Sequence, residues 1–138
     1  MLTGGLGGVM AAAMRGALRS RAYREGDTMA ILPDNTPALA NPYADTVLCT
    51  GLGEHRNGLV GRADAVVAVG GGAGTLQEVA VAWANRRPVV VMTGVSGSTA
   101  GLAGQHIDRR GPPDREAVMG AATAAEAVQM VLAAAARC

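Results

Sequence analysis

The sequence contains no lysine; its twelve basic residues are all arginine. A Walker-type phosphate loop needs a lysine to reach the terminal phosphates, and a pyridoxal phosphate enzyme needs one for its Schiff base, so both are excluded. Phenylalanine is absent too, and the aromatic residues are one Trp and two Tyr. An interior without large rings must be filled by Ala, Val, Leu and Met in close contact, as where helices lie on a parallel sheet. The two cysteines, Cys49 and Cys138, and the two histidines, His55 and His106, show no ligand spacing, so no metal site is expected. Reduced thiols fit a cytoplasmic protein. No apolar run approaches a membrane span, and Met1 leads into glycines rather than a basic flank and apolar segment, so neither a membrane nor a signal peptide is expected. A formal net charge of +1 argues against a nucleic-acid partner.

What is present is glycine, 20 residues of it, much of it in two clusters. A chain of 138 residues is read as a single domain, 1–138, able to bury one core. Short apolar runs alternate with helical periods. After Met1 and Leu2, a helix carries Val9, Met10, Ala13, Met14, Ala17 and Leu18 as its apolar stripe. Thr28 to Pro33, the run from Thr46, "DAVVAVGG" and "RPVVVMTG" read as strands, and "EHRNGLVGRA" as a short helix. Leu76, Val79, Ala80 and Trp83 mark one face of the helix after Thr75. "EAVMGAA" reads as a short strand, and a helix starts at Thr123, where Thr123 and Glu126 have capping-box spacing. Two long loops, "PDNTPALANPYAD" and "VSGSTAGLAGQHIDRRGPPD", separate these elements; loops of that length in a small domain are more often functional than decorative. The alternation predicts an α/β fold, a Rossmann-like parallel sheet between layers of helices.

In such sheets ligands bind where strands end and helices begin. Gly4 to Gly8 and Gly70 to Gly74 both fall there, as do "TGLGEHRN" and "TGVSGS". A phosphate held by several backbone N–H groups tolerates no intruding Cβ, and a helix N-terminus adds favourable partial charge. The dinucleotide fingerprint G-x-G-x-x-G is not met, since Met10 and Thr75 stand where its last glycine belongs. Phosphate or a nucleoside monophosphate is therefore the expected ligand, with Gly5, Gly7, Gly8, Gly71, Gly72, Gly74 and Thr75 as binding residues. Thr3, Thr50 and Thr93 stand at strand ends beside glycine, where a hydroxyl meets a ligand, as expected for Thr50, or caps a turn.

The order "GGLGGVM", "ILP…ANPY", "TGLGEHRN", "ADAVVAVGGGAGTLQEVAVAW", "RPVVVM" resembles the Rossmann-like proteins often labelled lysine decarboxylase-like, the LOG superfamily. It is similar above all to the subgroup that includes the molybdenum cofactor carrier proteins, and more distantly to the cytokinin riboside monophosphate phosphoribohydrolases. The missing lysine contradicts the decarboxylase label. The phosphoribohydrolase signature is P-G-G-x-G-T-x-x-E, preceded by an Arg-Lys pair. Gly71, Gly72, Gly74, Thr75 and Glu78 match it, Gly70 stands at the proline, Arg56 matches the arginine, and Asn57 replaces the lysine. The carrier-like subgroup shares these departures. Relative to the family, the chain starts at the first glycine turn, one strand and helix short.

The resemblance implies two readings. In the first, the chain is a carrier that binds a phosphorylated, nucleotide-like or pterin-like ligand, the molybdenum cofactor included, with Arg56 and Asn57 beside the glycine turns. In the second, it is a nucleoside 5′-monophosphate phosphoribohydrolase that needs no cofactor. Glu78 would then polarise a water or stabilise the positive charge at the anomeric carbon, and Arg56 would hold the phosphate or base side of the ligand, as the catalytic pair. Each residue also has a structural reading: Thr75-Leu76-Gln77-Glu78 as a capping box, Arg56 as a solvated helix arginine, Asn41 as turn chemistry before Pro42, Trp83 as core. A homo-oligomer, dimer or tetramer, is expected in the cytoplasm.

Overall fold

A computed structural model of the chain describes residues 1–108, 110 and 116–136; Cys138 and part of the second long loop lie outside them. The chain divides into two compact units, Met1–Val60 and Gly61–Cys138.

The first unit holds a parallel three-stranded sheet in the order β1 (Leu2–Thr3), β2 (Met29–Leu32), β3 (Thr46–Cys49). Leu2 pairs with Met29, and Ala30 with Val47. Ala30, Ile31 and Leu32 are buried in succession, the unbroken apolar run of a parallel strand covered on both faces. The two residues Leu2 and Thr3, a bare apolar start in the sequence, are a strand because β2 offers them ladder partners. Helix α1 (Val9–Leu18) follows the first glycine turn. Of its expected stripe only Met14 is fully buried; Val9, the first residue beyond the open turn, is half exposed, and Ala13 faces solvent.

The loop before β3 is tied down by one carboxylate. Asp45 accepts hydrogen bonds from the Tyr23 hydroxyl (2.5 Å), the Gly26 amide (3.1 Å), and the amide and hydroxyl of Thr28 (3.0 and 2.8 Å). These donors hold its carboxyl below the usual carboxylate range, the Tyr23 bond most of all. The same bond pushes the Tyr23 phenol up to about 12. The fully buried Thr28 hydroxyl accepts from the Asp45 amide (2.9 Å) and lies 2.9 Å from the Tyr43 carbonyl, so the knot fastens the C-terminal end of the loop to the segment before β2. A 3₁₀ turn (Gly53–Arg56) then runs into the short helix α2 (Asn57–Val60).

The second unit is a three-layer α/β/α sandwich in itself. Its parallel sheet runs β4 (Val66–Ala68), β5 (Val89–Met92), β6 (Met119–Ala121). All four residues of β5 are buried, and alternation sends them to opposite faces. Val89 and Val91 meet Val79, Ala82 and Trp83 of helix α3 (Ala73–Ala84). Val90 and Met92 meet Ala127 and Val131 of helix α4 (Ala124–Ala135). The α3 stripe thus runs through Ala82, while Leu76, one turn after the helix start, is 39% exposed. Trp83 is core as expected, its indole N–H donating to the Glu116 carbonyl (3.3 Å) and its ring meeting His106 edge-on at 6.4 Å.

The two expected capping boxes have opposite outcomes. At α4 the box forms: Thr123 Oγ1 accepts from the Glu126 amide (3.2 Å), and the Glu126 carboxylate reaches back to the Ala122 amide (2.8 Å). At α3 it does not, because the helix begins at Ala73 with Gly72 as N-cap. Thr75 lies inside the first turn, too late to cap, and Glu78 falls in the second turn.

Candidate functional site

Each unit carries a strand–glycine turn–helix passage. In the first, β1 leads through Gly4 to Gly8 into α1. The glycines here have three different jobs. A Cβ on Gly4 would sit 2.5 to 2.8 Å from the Nη1, Nη2 and Cζ atoms of Arg56, so the guanidinium lies flat against this turn. Gly5, with φ of +76°, would drive a Cβ to 2.6 Å from the Ala30 Cβ and 2.8 Å from Leu32. Gly7 and Gly8 face open space. Arg56, at the end of the 3₁₀ turn, is 6% exposed, which overturns its reading as a solvated arginine. Asn57 is buried beside it and donates to the Glu54 carboxylate (3.0 Å).

Asn41 holds this turn from the long loop. Its amide side chain donates to the carbonyls of Gly5 (3.0 Å) and Leu6 (3.2 Å), while its own backbone N–H also reaches Gly5 (2.8 Å). With those carbonyls fixed towards Asn41, the first N–H groups of α1 have no partner within the helix and point out of its end. The exposed glycines Gly7 and Gly8 stand at that end.

In the second unit, β4 leads through Gly70-Gly71-Gly72 into α3. Gly70 and Gly71 have φ of +60° and +83°. The Thr75 hydroxyl sits against Gly71, where a Cβ would stand, and Gly72 is exposed with nothing around it. Gly74 lies in the first turn of α3, whose first turn bears no acidic side chain. An anion at this end meets free amides and the positive pole of a helix dipole.

The threonines at strand ends turn out to serve the backbone. Thr50 donates its proton to the Leu32 carbonyl (2.7 Å) and accepts from the Leu52 amide. Thr3 accepts from Gly5 N (3.0 Å), and Thr93 donates to the Ala121 carbonyl (3.2 Å). The Thr50 and Thr93 protons are committed to backbone carbonyls, which leaves their oxygens as acceptors. What the sequence did not reveal was Thr99, which is fully buried and holds the Gly70 carbonyl at 2.6 Å. Its only sequence signal was the "TGVSGS" turn beside it. Among the described residues no cluster of His, Cys, Asp and Glu is arranged to hold a metal ion, and no helix is long and apolar enough to cross a membrane.

Parallel strands, flanking helices and glycine turns at their junctions make a Rossmann-like α/β fold, that of the LOG superfamily. Within it the chain belongs to the SLOG cluster4 family, whose model matches residues 1–128. An uncharacterized protein of Archaeoglobus fulgidus is 40% identical over 102 residues, covering 69% of this chain; the chain spans 64% of that relative's length. The X-ray structure of TM1055, a structural genomics target, superposes with a TM-score of 0.76 at 32% identity, covering 96% of this chain and 76% of that one. The molybdenum cofactor binding protein of the phototrophic bacterium Rippkaea orientalis is 41% identical with a TM-score of 0.59, covering 66% of this chain and 55% of that one.

Proposed function

We propose that this chain is a carrier that binds a phosphorylated, nucleotide-like or pterin-like ligand, the molybdenum cofactor among them, at its glycine turns. The observation that supports this reading best is the division of labour within each turn. Gly5 and Gly70-Gly71 are locked against their own unit, while Gly7, Gly8 and Gly72 are left open at a helix start. A phosphate-bearing ligand fits such turns, because its oxygens accept from the amides there and only hydrogen atoms stand in the way. The molybdenum cofactor brings its own redox chemistry. The chain's part is to hold a phosphate at a turn of one unit: at Gly72, Gly74 and Thr75 after the locked Gly71, or at Gly7 and Gly8 after the locked Gly5, with Arg56 and Asn57 in the same unit as the latter. The likeness to a molybdenum cofactor binding protein supports the pterin-like class. We place the protein in the cytoplasm as a homo-oligomer without nucleic-acid or membrane partners.

A specific observation keeps the hydrolase as a second reading. Glu78 does not belong to a helix-capping box, and Arg56 is buried on a glycine turn rather than solvated. Those are the two residues an N-glycosidic hydrolase of nucleoside monophosphates would use, the carboxylate against the oxocarbenium charge and the guanidinium on the phosphate.

One experiment separates them. The purified chain is incubated with a panel of nucleoside monophosphates and a phosphorylated pterin, with binding read by thermal shift and free base by chromatography. Stabilisation without base release is the expected result. Base release that Glu78→Gln abolishes, with binding retained, makes the protein a hydrolase. Neither stabilisation nor release overturns both readings.

A further inference from the structure

The Gly70-Gly71-Gly72 turn is not held by its own strand and helix alone. The segment Val95–Thr99, in the loop after β5, lies against it backbone to backbone. A Cβ on Gly70 would stand 2.6 Å from the Ser96 carbonyl oxygen, and one on Gly97 would stand 2.6 to 2.8 Å from the Gly70–Gly71 peptide. Two hydrogen bonds clamp the contact: the Ser98 amide donates to the Gly71 carbonyl (2.8 Å), and the Thr99 hydroxyl donates to the Gly70 carbonyl (2.6 Å). Thr99 is fully buried although Gly94 to Ser98 are exposed. A buried hydroxyl whose bond goes to a turn in left-handed geometry is a device for fixing that turn.

We infer that Thr99 is a positioning residue for the ligand turn. By holding the Gly70 carbonyl inward, with Ser98 N holding that of Gly71, it fixes the peptide planes that follow. The amides at Gly72 and the start of α3 thereby keep one outward orientation before any ligand arrives. Preorganised donors bind an oxyanion more tightly than donors that must first be ordered. This inference rests on the proposed anion-binding role of the turn for its functional half, while the clamp itself is tested without any ligand.

Thr99→Val keeps the shape and removes the hydroxyl; Thr99→Ser keeps the hydroxyl. Amide hydrogen exchange of the free protein, resolved by residue, reads the clamp. Thr99→Val should speed exchange at residues 70–75 and 97–99 by roughly tenfold, the worth of one buried hydrogen bond, while α4 is unchanged and Thr99→Ser stays close to the wild type. Inorganic phosphate and adenosine monophosphate, titrated into the same three proteins, read its purpose. Affinity should fall about tenfold for Thr99→Val, again with rescue by Thr99→Ser. Unchanged exchange in Thr99→Val overturns the clamp. Faster exchange with unchanged affinity overturns the positioning role. A wild type that binds neither probe, with exchange responding as expected, overturns the anion-binding role of the turn and leaves the clamp standing. Should Thr99→Val fail to fold, Gly97→Ala, which presses a methyl on the Gly70–Gly71 peptide, is read in the same two ways; it too must loosen the turn and weaken phosphate binding.

Discussion

At the scale of single residues, the first glycine turn separates packed from open glycine within four positions. Gly5 adopts left-handed backbone and already touches Ala30 and Leu32, so Gly5→Ala combines backbone strain with overpacking. It should destabilise the protein by about 1–3 kcal/mol in urea unfolding. A methyl added at Gly7 would meet nothing within 4 Å, and the residue has no left-handed φ, so Gly7→Ala should leave stability within about 1 kcal/mol of the wild type. Its phosphate affinity should nonetheless drop, because the methyl stands where a ligand would approach. Equal losses of stability in the two variants would contradict this assignment. The sequence exposed the cluster but not this division, since what lies over each glycine comes from Arg56, Ala30 and Asn41, residues far along the chain.

At the scale of elements, the Asp45 knot and the α4 cap are separable tests. Asp45 is depressed in the folded protein, so its contribution is complete above the ordinary carboxylate range and is lost as pH falls through the depressed folded value. Tyr23 is raised from 10.0 to about 12, so its contribution is complete below about pH 10 and is lost as pH climbs towards 12. Thermal unfolding followed against pH should therefore show an alkaline decline between about pH 10 and 12 that is smaller in Tyr23→Phe than in the wild type. Thr123→Ala should cost about 1 kcal/mol by removing the cap seen at Glu126 N, measured by denaturant midpoint.

Elements also differ in how far the sequence disclosed them. The strand over Val89–Met92 and the helix from Thr123 were legible because an unbroken β-branched run and a cap with its partner three residues on are local signals. The α3 capping box misled because its Thr and Glu have the right spacing, yet the chain had already entered the helix at Ala73, with Gly72 as N-cap. Position along a helix, not spacing alone, decides a cap. Ala82 stands off the stripe of Leu76, Val79, Ala80 and Trp83 in the sequence, yet it belongs to the same core cluster as Val79 and Trp83, closed by Val89 and Val91.

At the scale of the whole molecule, the absence of lysine and the near-balance of charge set behaviour in solution. With a sequence pI near 7.9 and Leu132 and Val128 exposed at 64% and 50%, little repulsion opposes association around pH 8. Light scattering at low salt should reach its maximum near that pH and fall at pH 6. The single tryptophan has a further consequence. Trp83 lies in the core of the second unit, with its indole against Glu116 and His106, so its emission during unfolding is a record of Gly61–Cys138 alone. Far-ultraviolet circular dichroism counts the helices of both units. Superposing the two curves therefore asks whether 138 residues melt as one cooperative domain: coincidence means one, and a dichroism curve that breaks away from the emission curve means that Met1–Val60 unfolds on its own schedule.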